Sequence, residues 1–189
     1  MADKLVEIQF EEAKLKNIER MLKGIPGAMP KVISRGINRT ATMSRTEIVN
    51  QIGANLSLKK KVIRDGLRLE KSNYQKWFAR ITVRTKRIPL MEFKARQNKK
   101  GVSYLIEKGQ GRKRIDSAFE ATMASGHRGI FKRKGPSRFP IIELLGPSLG
   151  QVFAGAERIT AEVQSRAGQM LEKNIDDQVK LLLARRGAA

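Results

Sequence analysis

The sequence predicts an α+β protein: a small antiparallel sheet packed by an amphipathic helix, with a long C-terminal helix. Three observations predict it. Apolar residues recur every three or four positions from about Pro30 to Ile52. The period switches to two from Gln75. A helical period returns from Glu157 to Arg185.

The elements follow in order. Val6, Ile8 and Phe10 alternate with Glu7 and Gln9, the pattern of a half-buried strand. Leu15, Ile18, Met21 and Leu22 give Glu11–Lys23 a helical spacing, which Gly24, Pro26 and Gly27 end. Pro30 suits the first turn of a new helix. Val32, Ile33, Ile37, Ala41, Ser44, Ile48 and Ile52 mark its apolar face, and Gly36 is a local weak point. Ser57 is a candidate N-cap for a short basic helix from Leu58 to about Arg64.

From Gln75, Trp77, Ala79, Ile81 and Val83 point one way and Phe78, Arg80, Thr82 and Arg84 the other, which makes a strand that Pro89 ends or edges. Val102–Glu107, Phe119–Met123 and Ile130–Lys132 read as further strands, with a turn at Gly109-Gln110-Gly111. Pro136, Pro140 and Pro147 punctuate an extended connection up to Ser148. The last helix carries Ile159, Val163, Ala167, Leu171, Ile175, Val179 and Leu182 on its apolar face. Arg185 and Arg186 suit the negative end of its dipole. Leu181-Leu182-Leu183 is apolar beyond one stripe and points to contact with a second surface, with Val179, Leu182 and Leu183 as candidate subunit-packing residues. The expected organisation is an α+β domain over 1–156 and a helical extension over 157–189.

The chain has no cysteine, which excludes disulfides, thiolate nucleophiles and cysteine-based zinc sites. No apolar run approaches the roughly 18 residues of a membrane helix, and the acidic N-terminal region has no secretory core, so the expected setting is a cytoplasm until assembly. The net charge of +21 is unevenly spread. Residues 80–138 carry 17 basic and 4 acidic side chains, whereas residues 157–189 carry 6 and 5. Such a localised positive field attracts phosphates or an acidic protein surface.

Catalysis finds little support. The only histidine, His127, lies between Gly126 and Arg128-Gly129 on an expected turn, and the sequence places no nucleophile or carboxylate beside it. Asp176-Asp177 are adjacent on a helix and do not face each other, so neither a metal site nor a cofactor is expected. Gly109-Gln110-Gly111-Arg112-Lys113-Arg114 lacks the P-loop pattern and reads as a basic loop. Candidate contacts to DNA or to an acidic protein surface are Arg96, Lys99, Lys100, Arg112, Lys113, Arg114, Arg128, Lys132 and Arg133. Such loops bind backbone phosphates without reading sequence. Phe93, Tyr104, Phe119, Phe131 and Phe139 lie among them and are expected to serve the core of the sheet rather than to stack on bases.

Several segments fall in a recognisable order: Gly36-Ile37-Asn38-Arg39-Thr40-Ala41, Leu58–Arg64, Ile88-Pro89-Leu90, Phe93–Ser103, Gly126–Arg133, Arg138–Glu143 and Gly146-Pro147-Ser148. In these the chain resembles the minor tail protein Z family of lambda-like phages and prophages. The resemblance implies a structural virion protein, not an enzyme, completing the head-proximal end of a long non-contractile tail so that it can join a filled head. It implies a homo-oligomeric ring beside the tail terminator protein and the head connector proteins, around the path of phage DNA, with no membrane partner. Read from charge alone, the competing expectation is a free, sequence-independent DNA-binding protein.

Overall fold

The computed structural model describes residues 3–9, 15–23, 25–154 and 157–187. Expectations for Phe10, for Glu11–Lys14 and for Gly24 lie outside the described residues, as does the side chain of Arg186. The α+β class and the long C-terminal helix are as the sequence predicts. Among the described residues the strands divide between four small antiparallel sheets, and the chain forms two compact units.

One unit comprises residues 2–48, 67–83 and 156–189. Its sheet sets β3 (Phe78–Val83) between β1 (Asp3–Gln9) and β2 (Leu67–Glu70). Alternation puts Ala79, Ile81 and Val83 of β3 inside, beside Val6, Ile8 and Leu67. Helices α1 (Leu15–Met21), α2 (Ala28–Asn55) and α5 (Glu157–Gly187) complete the unit, α2 contributing only as far as Ile48. Val163, Ala167, Leu171, Ile175 and Val179 recur every fourth residue along α5 and are all buried. Gln164 ties α5 to the outer edge of β1. Its side-chain amide donates to the carbonyl of Glu7 at 2.7 Å, and its oxygen accepts from the Glu7 amide at 3.2 Å. It pairs with the exposed strand edge as another strand would. Between the helices, buried Asn174 donates to the Thr40 hydroxyl at 2.9 Å, which in turn donates to the Gly36 carbonyl at 2.9 Å.

Gly36 does not interrupt α2. The helix runs through it unbroken, and the missing side chain makes room for Ile175. The expected strand from Gln75 starts only at Phe78. The Asn73 side chain accepts from the amides of Gln75 and Lys76 at 2.9 and 2.7 Å, and that local turn takes the place of ladder bonds.

The other unit comprises residues 49–66 and 84–155. The end of α2 leads into α3 (Lys60–Asp65), whose Ile63 is fully buried. Ser57 is not the cap of this helix. Lys59 occupies the cap position, and the Ser57 amide donates to the Ile106 carbonyl at 2.8 Å. Leu56 pairs with Glu107, Ser57 lies in the bend that follows, and its buried hydroxyl has no hydrogen-bond partner among the described residues.

Two three-stranded sheets supply the rest of this unit's core. The first orders β5 (Arg96–Asn98), β6 (Gly101–Tyr104) and β7 (Lys113–Asp116), with β6 central. The second orders β8 (Ala118–Thr122), β9 (Arg128–Arg133) and β10 (Ile141–Glu143), with β9 central. Val102 of the first and Ala118 and Ile130 of the second meet Leu90, with Met91, Ala95, Tyr104, Ile115 and Leu144 packed around them. A two-stranded ribbon of β4 (Arg87–Pro89) and β11 (Leu145–Ser148) stands alongside, followed by α4 (Leu149–Ala154). The expected strand over Val102–Glu107 stops at Tyr104, where the Leu105 amide turns to the Phe93 carbonyl at 2.9 Å. The proline-punctuated stretch up to Ser148 is strand in two places, β10 and β11, rather than a bare connection.

Candidate functional site

The excess positive charge belongs mainly to the unit of residues 49–66 and 84–155, which carries 20 basic and 6 acidic side chains. The other unit carries 19 and 12. Strand register then decides which cations share a face. Arg96 pairs with Ser103, and Ser103 with Arg114, so these three side chains form one row across the first sheet. Val102 and Ile115 form the neighbouring row and face the core. The row of Arg96 and Arg114 therefore lies on the outer face. Lys99 and Lys100 occupy the two-residue turn between β5 and β6, and Lys113 starts β7. The first sheet thus gathers Arg96, Lys99, Lys100, Arg112, Lys113 and Arg114 from segments that the sequence left separate.

The nine predicted contact residues differ in how free they are. Arg112 is spent internally: its guanidinium donates to the Lys94 carbonyl at 2.7 Å and to the Ser103 carbonyl at 2.9 Å. It fastens β6 to the start of β7 and holds Lys94, which has a left-handed φ of 49°. Arg114 pairs with Asp116 at 2.7 Å, two residues along the same strand face. Arg128 pairs with Glu120 across the β8–β9 ladder. The Arg133 guanidinium lies 5.7 Å from the ring centre of Phe119, a cation–π arrangement. Arg96, Lys99, Lys100, Lys113 and Lys132 have no ion-pair partner among the described residues. These five are the cations available to an outside phosphate or carboxylate.

Sequence reasoning missed the acidic partners Asp116, Glu120 and Glu143. Their signal was spacing within a strand or across a ladder, and the second is invisible until the register is known. The Glu143 carboxylate lies 2.9 Å from Nε2 of His127, and the His127 ring stands edge-on to Phe131 at 6.3 Å. Gly129 lets them approach, since a Cβ there would lie 2.9 Å from the Glu143 carboxylate. His127 is thus part of a face cluster with Phe131 and Glu143. Of the interspersed aromatics, Phe93 and Phe131 are buried and Tyr104 packs against the core, as expected. Phe139 departs from that expectation: it is 65% exposed, with the Arg138 guanidinium 5.6 Å from its ring centre. Arg138-Phe139 is therefore a surface pair adjoining β10 that the candidate set lacked.

The predicted packing residues also separate. Val179 is fully buried within its own unit, Leu182 is half-buried, and Leu183 is exposed. Among the described residues no cluster of side chains suited to a metal ion occurs, and no helix is long and apolar enough to cross a membrane.

These features concentrate the unpaired cations of the candidate set in one of the two units. The chain belongs to the prophage minor tail protein Z (GPZ) family, whose model matches residues 12–185. It is therefore a phage minor tail protein, from a family of structural tail components rather than of enzymes. The match includes the long C-terminal helix as far as Arg185, beyond the last segment that carries the resemblance, Gly146-Pro147-Ser148. No curated protein and no solved structure matches the chain.

Proposed function

We propose that this tail protein completes the head-proximal end of a long non-contractile tail and supports its joining to a filled head. It does so as a ring of copies beside the tail terminator and the head connector, with DNA passing through. The observation that carries the reading is the gathering of unpaired cations, Arg96, Lys99, Lys100 and Lys113, on one small sheet. A ring multiplies such a patch around its axis, so contacts that are weak singly add up along DNA or an acidic neighbouring ring. Assembly takes place in the host cytoplasm.

Electron microscopy of tails carrying a labelled copy tests this. Label at the head-proximal end is the expected result; label at the distal tip or along the tube overturns it. The same unpaired lysines also suit a second reading, a free DNA-coating protein. That reading requires the isolated chain to bind duplex DNA tightly with a steep salt dependence, and requires no label on particles.

A further inference from the structure

A groove opens within the unit of residues 2–48, 67–83 and 156–189, with a volume of about 560 Å³. The start of α2 provides one wall through Ala28, Lys31, Val32 and Arg35, and the end of α5 the other through Gln178, Leu181, Leu182 and Arg185. Both sets are spaced i, i+3, i+4, i+7, so each helix presents one continuous stripe. Ile25-Pro26-Gly27, just before α2, adds to the lining. The volume falls in the range of specific binding sites, roughly 300–1,000 Å³.

The chemistry of the walls selects an occupant. Ile25, Val32, Leu181 and Leu182 make an apolar lining, and Leu181 is 43% exposed. Lys31, Arg35 and Arg185 surround it, with no acidic residue in the lining and no ion-pair partner for these three among the described residues. We infer that this groove docks an acidic, leucine-rich segment of another virion protein, its apolar side chains seated on Ile25, Leu181 and Leu182 and its carboxylates on Lys31, Arg35 and Arg185. Charge argues against a second copy as occupant, because a chain of net charge +21 offers like charge to three cations. This inference does not depend on which end of the tail the protein occupies.

The probe is a short fluorescent peptide of leucine and glutamate at helical spacing, titrated into the full-length protein at physiological salt. Controls replace its leucines by serine, or its glutamates by lysine. Because the whole chain is basic, the decisive comparison is between variants. Arg35→Glu and Leu181→Glu, both at exposed positions, are expected to weaken binding about tenfold or more. Lys99→Glu with Lys100→Glu, in the other unit, is expected to leave it unchanged. Circular dichroism confirms that each variant is folded. Equal loss in the Lys99/Lys100 variant, or equal binding of the serine peptide, overturns the proposal. So does a change in sedimentation of Arg35→Glu without peptide, which assigns the groove to a second copy. Groove-dependent binding of phosphatidylglycerol vesicles in place of the peptide assigns it to a membrane surface and overturns it likewise.

Discussion

A Cβ built on Gly36 would lie 2.5 Å from Cγ1 of Ile175 and 3.3 Å from its Cα. Helices α2 and α5 cross at this point with almost nothing between them, and both residues are buried. Glycine costs up to about 1 kcal/mol in a helix relative to alanine, so its presence here has to be offset by the close approach. Gly36→Ala is expected to destabilise the protein by about 1–3 kcal/mol, the usual range for overpacking, although alanine is the better helix former. Thermal unfolding monitored by circular dichroism measures it. Adding Ile175→Ala, which alone opens a cavity, should cost less than the sum of the two single changes, whereas an unchanged or raised Tm for Gly36→Ala alone would show that the helices separate freely.

One turn further along α2, Thr40 both donates to the Gly36 carbonyl and accepts from Asn174, each at 2.9 Å. Thr40→Val keeps the shape and removes the acceptor. The buried Asn174 amide then keeps only a weak contact to the Met43 sulfur at 3.7 Å. The expected cost is about 1–3 kcal/mol, the penalty for an unsatisfied buried donor. Adding Asn174→Leu to Thr40→Val should cost less than the sum of the two single changes, and strict additivity in chemical denaturation would argue that the pair is not coupled.

These helices were legible because their periodicity extends over many turns and survives single exceptions. Strand β3 was legible for the same reason, with Ala79, Ile81 and Val83 alternating inward. Strand β2 was not. Its Leu67-Arg68-Leu69-Glu70 alternates correctly, but four residues cannot be told from a loop until β3 pairs with them. Strand β7, Lys113-Arg114-Ile115-Asp116, has a single apolar residue, and it is a strand because β6 supplies the ladder. Ser57 shows the opposite failure: good local cap chemistry yielded to the tertiary pairing of Leu56 with Glu107. The basic segment was visible as composition. Which cations are free was not, because Asp116 and Glu120 neutralise Arg114 and Arg128 through register, and Arg112 turns inward to backbone carbonyls.

Gly101 connects that sheet's shape to its charge. Its φ of 151° lies outside the range that side chains favour, and a Cβ there would meet the Ile115 carbonyl oxygen in the adjoining strand. Any side chain must force β6 and β7 apart or bend the turn that carries Lys99 and Lys100. Gly101→Ala is expected to cost about 1–3 kcal/mol. If the protein supports head–tail joining as proposed, the same change should weaken joining at temperatures where the protein remains folded. Normal joining by a measurably destabilised variant would separate the turn's geometry from its function.

The division between free and paired cations predicts a contrast in salt dependence. Removing Lys99, Lys100 and Lys113 together, each to Gln, takes away charges that no described carboxylate balances. If all three touch phosphates, the slope of log affinity for duplex DNA against log salt should fall in magnitude by about 2–3, at roughly 0.9 per phosphate contact. Arg114→Gln and Arg128→Gln should change that slope much less, because Asp116 and Glu120 already hold these guanidinium groups. Fluorescence anisotropy over a salt series reads both, using assembled protein so that weak single contacts are summed. An equal change in slope for paired and unpaired residues would mean that the patch acts only through net charge. An unchanged slope for the triple variant, with joining to heads still impaired, would assign Lys99, Lys100 and Lys113 to an acidic protein surface instead of to DNA.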